Sequence, residues 1–424
     1  MREHWFACLV AVALVSGAAR GWAVTKSTFA VDYTVTISAK QPKIARVRWD
    51  LSGIDEIRGI RLRFPVERFD QFTASGKLEQ KGGEVLWEPG QPYAHLSYRV
   101  RVDNSRGRQQ RYDSYAASDW IITRAKGLFP RISVVYDDRK PAPKSRARLV
   151  FKLPPGWRVV TAMEAAAPDV FLPLQPGNSL DRPTGWMALG EIDVSRQEIG
   201  NTMVEVARVP GSKLKSAELF RLYEDTLPML QKLLQRPMEH LLVVSGPDPM
   251  WHGGISGTDS FYIHGDRALR TPDKTSPYLH ELFHVMQPYK PGPDADWIEE
   301  GLAEYYSLEL QRRAGLLDAA AYDRGLGYLQ RYGLWNVDMT KQQDNAATNN
   351  SAPFIMHAID QRIQRATAGK QRLDDALALL LRGDTTVSTA RFERAVEQVA
   401  GKTFRTFFRR HVREGEPPPA LTVP

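Results

Sequence analysis

Between residues 31 and 189, apolar and polar residues alternate in short runs. Val31, Tyr33, Val35 and Ile37 make one, Leu96, Tyr98, Val100 and Val102 another, and Ala147, Leu149, Phe151 and Leu153 a third. A period of two puts every second side chain on one face of a strand, which predicts antiparallel sheets with one face in a core and one in water. Pro154-Pro155-Gly156 ends the third run in a turn. The pattern is that of a β-sandwich with no long amphipathic helix. Near residue 210 the period changes. Leu219, Leu222, Tyr223, Leu230, Leu233 and Leu234 keep helical spacing after a cap at Ser216, with a kink expected at Pro228. Short buried strands are expected at 241–245 and 259–264. Beyond residue 275 helices dominate, at 276–288, 296–314, 353–366, 373–382 and 388–412. The reading is a multidomain α+β chain: a leader at 1–23, an N-terminal antiparallel β-sandwich domain at 24–205, a catalytic domain at 206–335, a helical C-terminal subdomain at 336–415 and an extended tail at 416–424.

Composition narrows the class. Of 424 residues, 42% are hydrophobic and 25% charged, which excludes a disordered, collagen-like or coiled-coil chain. The single Cys, Cys8, lies in the leader, so disulfide scaffolds, zinc ribbons and cysteine proteases are out. Arg2, the apolar run 6–19 and small residues before Ala19 and Ala23 read as a cleaved signal peptide. That run is shorter than the ~20 residues a bilayer requires, and no later run reaches that length. The mature chain is therefore expected to be exported, periplasmic or secreted, without an integral membrane domain. The formal net charge of +8 falls by one when Arg2, Glu3 and Arg20 leave with the leader. This modest excess, on an exported chain, argues against a nucleic-acid partner. The basic-aromatic stretch Phe404, Arg405, Phe407, Phe408, Arg409, Arg410 fits an amphipathic helix with rings inward.

The chemistry is concentrated at His280-Glu281-Leu282-Phe283-His284, an H-E-x-x-H pattern. On a helix, residues i and i+4 share a face, so both imidazoles can grip one ion while Glu281, beside the first, acts as a base without ligating. Such a site needs a third protein ligand. Glu300 is the candidate, in Trp297-Ile298-Glu299-Glu300-Gly301-Leu302-Ala303-Glu304-Tyr305-Tyr306, with Glu299 and Glu304 as competitors. Pro288, Pro291, Gly292 and Pro293 break the first helix, and Asp294 or Asp296 caps the second, giving a helix–loop–helix that returns a carboxylate to the histidines. Two His and one Glu suit one Zn²⁺ per chain.

With W-x-x-E-G-x-x-x-Y-Y after His280–His284, the sequence resembles the gluzincin metallopeptidases, most closely the bacterial glycyl aminopeptidases of metallopeptidase family sixty-one. Looser matches are Leu153-Pro154-Pro155-Gly156-Trp157, Gly253-Gly254, Ile359-Asp360 and Phe407-Phe408. The resemblance implies a thermolysin-like catalytic domain after the β-domain, Glu300 as third zinc ligand, Glu281 as general base and a peptide or protein substrate. The C-terminal PDZ domain of many members is not expected after residue 415. Two family features are replaced. Ser256, in Gly253-Gly254-Ile255-Ser256-Gly257, stands where a Glu holds the substrate's α-amino group. Asn349 stands where a Tyr of a Tyr-x-Lys-Gly motif hydrogen-bonds the oxyanion. His252, His264 and His357 are candidate oxyanion or substrate contacts, and Asp259 a candidate replacement for the amine-binding carboxylate.

Two further patterns carry less. Gly254-Ile255-Ser256-Gly257-Thr258 lacks the second Gly of a G-x-S-x-G elbow, and Gly325-Leu326-Gly327 is read as a helix break or turn. The sequence thus points to an exported zinc metallopeptidase, in its narrower form an aminopeptidase for small N-terminal residues. The competing reading is a catalytically impaired gluzincin-fold protein that binds or scaffolds in the cell envelope.

Overall fold

Buried and partly exposed residues alternate without a break along strand Thr28–Ile37, and nearly so along Ile44–Ser52, Tyr93–Arg101 and Lys144–Lys152. The computed structural model describes residues 28–419 apart from 91, 108–110, 138, 140, 141, 176–178, 342–346 and 384. The predicted leader 1–23 and the last five residues of the predicted tail lie outside the described residues. The four strands form the middle of a seven-stranded sheet, flanked by Phe69–Ala74 on one side and by Val170–Leu172 and Glu164–Ala167 on the other. All neighbours are antiparallel except Thr28–Ile37 and Lys144–Lys152, which run parallel with Thr28 opposite Lys144. A four-stranded sheet (Arg131–Tyr136, Ile57–Arg63, Glu84–Glu88, Lys77–Lys81) packs on the same core, where Val31, Trp49, Leu62 and Trp87 are buried.

A third sheet departs from the two-layer sandwich pattern. Its strands are Arg158–Thr161, Trp186–Gly190, Trp120–Arg124, Arg111–Ala116 and Asn104–Arg106. Strand Trp186–Gly190 is buried at every position. Met187, Leu189 and Ile121 face the first core, whereas Trp186, Ala188, Trp120 and Ile122 face a second core with Ala207, Leu242, Val244 and Tyr262. Both faces are covered, so the strand reads as an unbroken apolar run with no period-two signature.

Those last partners belong to a mixed sheet in the order Asp193–Ile199, Thr202–Arg208, His240–Gly246, Ser260–His264, Gly254–Gly257. The middle three strands are parallel and the two outer pairs antiparallel. The division expected at 205/206 falls inside strand Thr202–Arg208, because the antiparallel partner of that strand is the segment just before it.

The helices are α1 (Ala125–Leu128), α2 (Ser216–Leu234), α3 (Pro277–Met286), α4 (Asp296–Arg313), α5 (Ala319–Tyr332), α6 (Ala352–Ala366), α7 (Leu373–Leu380), α8 (Thr389–Ala400) and α9 (Arg405–Phe407). None among the described residues is long and apolar enough to cross a membrane. Three differ from expectation. Pro228 is inside α2 without interrupting it. The helix expected over 388–412 stops at Ala400 and resumes as α9 and a π-helical turn Phe408–Arg413, with Phe404, Phe407 and Phe408 buried and Arg405, Arg409 and Arg410 exposed. Gly325 and Gly327 lie within α5; a Cβ at Gly325 would sit 2.6 Å from the Asp273 carbonyl oxygen, so close packing, not a turn, accounts for that glycine. One core runs from Ile199 to Val412. The expected catalytic and helical segments, divided at 335/336, therefore share their interior.

Asp360 on α6 is buried and accepts hydrogen bonds from Tyr305 Oη (2.9 Å), the Leu373 amide (2.7 Å) and Arg372 (3.1 Å). Glu309 on α4, 1% exposed, pairs with Arg312 (2.7 Å), Arg313 (2.8 Å) and Arg372 (2.7 Å). Burial raises the Glu309 pKa, but the guanidinium groups of Arg312 and Arg313 outweigh it and bring it to about 2. Against an unfolded value near ~4.3, this depressed carboxyl stabilises the fold fully above that value and stops doing so as pH falls to about 2. Thermal unfolding of wild type and Glu309→Gln across pH 2–6 should show a large difference in midpoint at pH 6 that shrinks towards zero at pH 2.

Candidate metal centre and cleft

Helix α3 starts with Pro277 at its first turn, where the missing N–H costs nothing. Tyr278, Leu279, Leu282 and Phe283 are buried in the core. His280 and His284 therefore share the face turned towards α4, and Phe283 stacks on Tyr306 with ring centroids 6.0 Å apart. The connection is fixed by strand Lys290–Pro291, paired with Thr386–Val387, and by Trp297, whose indole N–H donates to Thr389 Oγ1 at 3.1 Å. Neither expected cap of α4 is used. Ala295 is the N-cap, Asp296 lies in the first turn, and Asp294 accepts from the Thr389 amide at 3.3 Å.

This packing brings three of the sequence candidates together. His280 Nε2 and His284 Nε2 stand 3.1 Å apart, and the Glu300 oxygens lie 3.4 Å from the first and 3.5 Å from the second. The rings meet edge-on at 75°. Glu304 and Glu299, competitors for the third position, go elsewhere: Glu304 Oε2 is 2.7 Å from His280 Nδ1 and Glu299 Oε1 is 3.5 Å from His284 Nδ1. Each imidazole thus has a carboxylate on its far nitrogen, which holds the proton there and turns Nε2 towards the centre. Gln287 donates to Glu299 in turn.

The electrostatics of the centre call for positive charge. Burial opposes charge on His280, but Glu300 and Glu304 outweigh it and hold its pKa well above the ordinary range. His284 follows for the same reasons, pushed up to about 9 by Glu299 and Glu300 against burial. Glu300 moves the opposite way, below its ordinary value, because the two imidazoles overcome its burial. Protons or a cation satisfy this set equally. Two imidazole nitrogens and one carboxylate within 4.8 Å of one another, with outer carboxylates on both rings, fit Zn²⁺ with a coordination position to spare.

Glu281 is buried, which raises its pKa against the pull of both imidazoles. It packs on the edge strand Gly254–Gly257, where a Cβ at Gly254 would collide with its Cγ and Oε1; glycine is required for that approach. The Gly253 carbonyl pairs with the His264 amide at 3.3 Å. By the alternation of an antiparallel ladder, the N–H and C=O of Gly254 and Ser256 then face outward over the cleft. The cleft encloses about 750 Å³ and is bordered by His280, Glu281, His284, Glu300, Gly254 and Ser256. Asn349, in the π-helical turn Ala347–Ser351, also borders it. So do Arg106 and Trp251, the guanidinium 4.6 Å from the indole centroid, and Asp296, whose carboxylate has no hydrogen-bond or ion-pair partner among the described residues. The two halves of the chain each supply part of this wall, so no local sequence pattern marks it.

The other predicted contacts do not border the cleft. The His252 and His264 rings lie 4.2 Å apart, tilted by 49°, beside Asp248, whose Oδ1 is 2.6 Å from His252 Nε2 and 3.6 Å from His264 Nε2. That carboxylate is also paired with Arg111, and His264 Nδ1 accepts the Asp266 amide at 3.2 Å. His264 Nε2 must then carry the ring proton, so this cluster, though its donors are close enough, is a poor ion site. Asp259 sits in the hairpin turn, 3.7 Å from Arg236, and borders a different cavity. His357 is buried in α6, 3.4 Å from Tyr322 Oη, with its pKa lowered by burial.

No family model matches the sequence, and no curated protein matches it. The fold is similar to those of solved aminopeptidases and zinc metallopeptidases. An aminopeptidase N family protein from Idiomarina loihiensis superposes with TM-score 0.72 at 13% identity, covering 91% of this chain and 76% of that one. An M1 zinc metallopeptidase from Deinococcus radiodurans, a variant solved with a Tyr-Ser-Ala substrate, gives TM-score 0.59 at 14% identity over 93% of this chain and 95% of that one. Legionella pneumophila aminopeptidase A, in complex with aspartic acid, gives 0.56 at 13% identity over 93% and 50%. The mixed α+β fold is thus similar to that of the two-domain M1 metallopeptidases.

The outer carboxylates generate a prediction. Glu304→Ala should weaken zinc binding about 10–100-fold, by equilibrium dialysis with metal analysis, without loss of helical circular dichroism.

Proposed function

We propose that this chain is an exported zinc-dependent metallopeptidase. The observation that carries the reading is the joint placement of His280, His284 and Glu300 around one point, with Glu304 and Glu299 behind the imidazoles and Glu281 beside a glycine of the edge strand. The fold likeness to M1 aminopeptidases supports it. The narrower placement near the glycyl aminopeptidases rests on the motif resemblance, and export, to the periplasm or medium, rests on the leader 1–23.

His280, His284 and Glu300 would hold Zn²⁺, which when bound supplies a Lewis acid for the scissile carbonyl and an acidified water. The residues of the chain do the rest. An extended peptide lies along the outward N–H and C=O groups of Gly254 and Ser256. Glu281, its pKa raised by burial, takes the proton of the attacking water and passes it to the leaving amine. Asn349 occupies the cleft wall where its carboxamide can donate to the developing oxyanion, a role an amide fills in other hydrolases. Ser256 offers no charge to a free α-amino group. Asp296 is the cleft carboxylate free to do so, which supports removal of single N-terminal residues.

The serine at 256 and the absence of a phenol at 349 also support the second reading, a gluzincin fold that binds peptides without cutting them. A mixture of peptides with free and with blocked N-termini, incubated with zinc-loaded protein and read by mass spectrometry, separates the two. Loss of single residues from free peptides, absent in Glu281→Gln at equal zinc content, is the expected result. Internal cuts in blocked peptides would make it an endopeptidase, and no cut in any peptide would leave the binding reading. In the active protein Asn349→Ala should lower kcat about 100-fold with zinc content unchanged; an unaltered kcat would remove Asn349 from the oxyanion role.

A further inference from the structure

A second cavity, of about 1010 Å³, shares a hairpin with the cleft. Gly254, Ile255 and Ser256 border the cleft, and the turn residues Thr258 and Asp259 border the second cavity. At ~3.4 Å per strand residue, the turn begins about 7 Å beyond Ser256.

The cavity touches every residue from Arg158 to Ala165. Strand side chains alternate between two faces, so a cavity in contact with consecutive residues approaches the backbone along its edge. Two edges are involved. Among the described residues, Arg158–Thr161 pairs only with Trp186–Gly190, and Glu164–Ala167 only with Val170–Leu172. Natural edges are blunted by lysine, proline, bulges or short length; Glu164–Ala167 is four residues long with a register shift between Ala165 and Ala167, but it carries three alanines, no lysine, and is exposed throughout. The adjoining floor is apolar: Leu172 is 36% and Leu174 75% exposed, with Met163 and Phe171 beside them. On the facing wall the charges neutralise one another, Glu205 between Arg196 (2.5 Å) and His240 (3.2 Å), and Arg236 with Asp259 (3.7 Å). That wall favours no ionic ligand. An open strand edge beside exposed leucines matches backbone hydrogen bonding and alternate apolar side chains, the recognition mode of strand addition.

We propose that this groove is a secondary binding site for an extended segment of a polypeptide substrate, remote from the bond that is cut. The segment adds as a strand to Glu164–Ala167 and lays apolar side chains over Leu172 and Leu174. The inference rests on the peptidase reading and assigns it polypeptides, not di- and tripeptides, as the preferred substrate class.

The test uses the full chain, zinc-loaded and carrying Glu281→Gln, with fluorescein-labelled peptides of about four and about fourteen residues that share one terminal sequence and, in the longer, alternate leucine with serine. Anisotropy should give a Kd about tenfold or more lower for the longer peptide, the worth of one buried leucine. Leu174→Glu, at a site too exposed to threaten folding, should erase that ratio, and Leu172→Glu should reduce it. In wild type, kcat/KM should show the same dependence on length. Equal affinity for both peptides, or a ratio that survives Leu174→Glu, would overturn the proposal. So would a concentration-dependent mass abolished by Leu174→Glu, since a second copy would then occupy the groove. Absence of turnover with the length-dependent binding retained would overturn the peptidase reading alone.

Discussion

Two imidazole nitrogens face each other across 3.1 Å inside the molecule, and much of the helical half can be understood as the means of keeping them there. Neither can be charged alone in a buried setting, and both cannot be charged together without anions close by. The chain supplies three carboxylates from two turns of one helix, Glu299, Glu300 and Glu304, each placed on a different nitrogen or shared between two. Removing any one leaves a buried charge uncompensated, which costs far more than the pairing contributes. The relative position of α3 and α4 is therefore fixed by apolar packing: Phe283 on Tyr306, Trp297 tied to Thr389, and the core that runs from Ile199 to Val412.

Seen this way, the ion network of Glu309, Asp360, Arg313, Arg372 and Asp374 is the far anchor of the same helix. Arg313 pairs with Asp374 of α7 at 2.6 Å, and Arg372 reaches both Glu309 and Asp360. It places no group in the cleft. Its effect is to hold the C-terminal end of α4 while the N-terminal end presents its carboxylates.

Legibility in the sequence followed the range of the interactions. Three strands of the seven-stranded sheet were readable because Val31–Ile37, Leu96–Val102 and Ala147–Leu153 place an apolar residue at every second position. Trp186–Gly190 was not, because two cores cover it and no polar face remains. H-E-x-x-H could be read since both histidines sit on one helix face, but the division of labour among Glu299, Glu300 and Glu304 depends on how α4 lies against α3. Helix α5 escaped because Gly325 signals a break locally and serves a tertiary contact with Asp273. Clustering along the chain misled for His252 and His264: the hairpin turns them to Asp248 and Arg111, away from the cleft. Asn349 was visible only as a missing tyrosine; its place on the cleft wall comes from the π-helical turn before α6.

The hairpin Gly254–His264 is fastened from the β-rich half of the chain. The Trp186 indole N–H donates to the Ile255 carbonyl at 2.8 Å, and the Trp186 amide donates to Ser260 Oγ at 2.9 Å. The proposed metal ligands belong wholly to α3 and α4. The ledge on which a peptide would lie is thus held from two sides: Trp186 ties it to the β-rich half, while Phe261 and Ile263 root it in the core that also carries α3 and α4. A substitution at Trp186 would reach the ledge without touching a residue that would grip the ion, so this architecture offers a remote handle on what the cleft accepts.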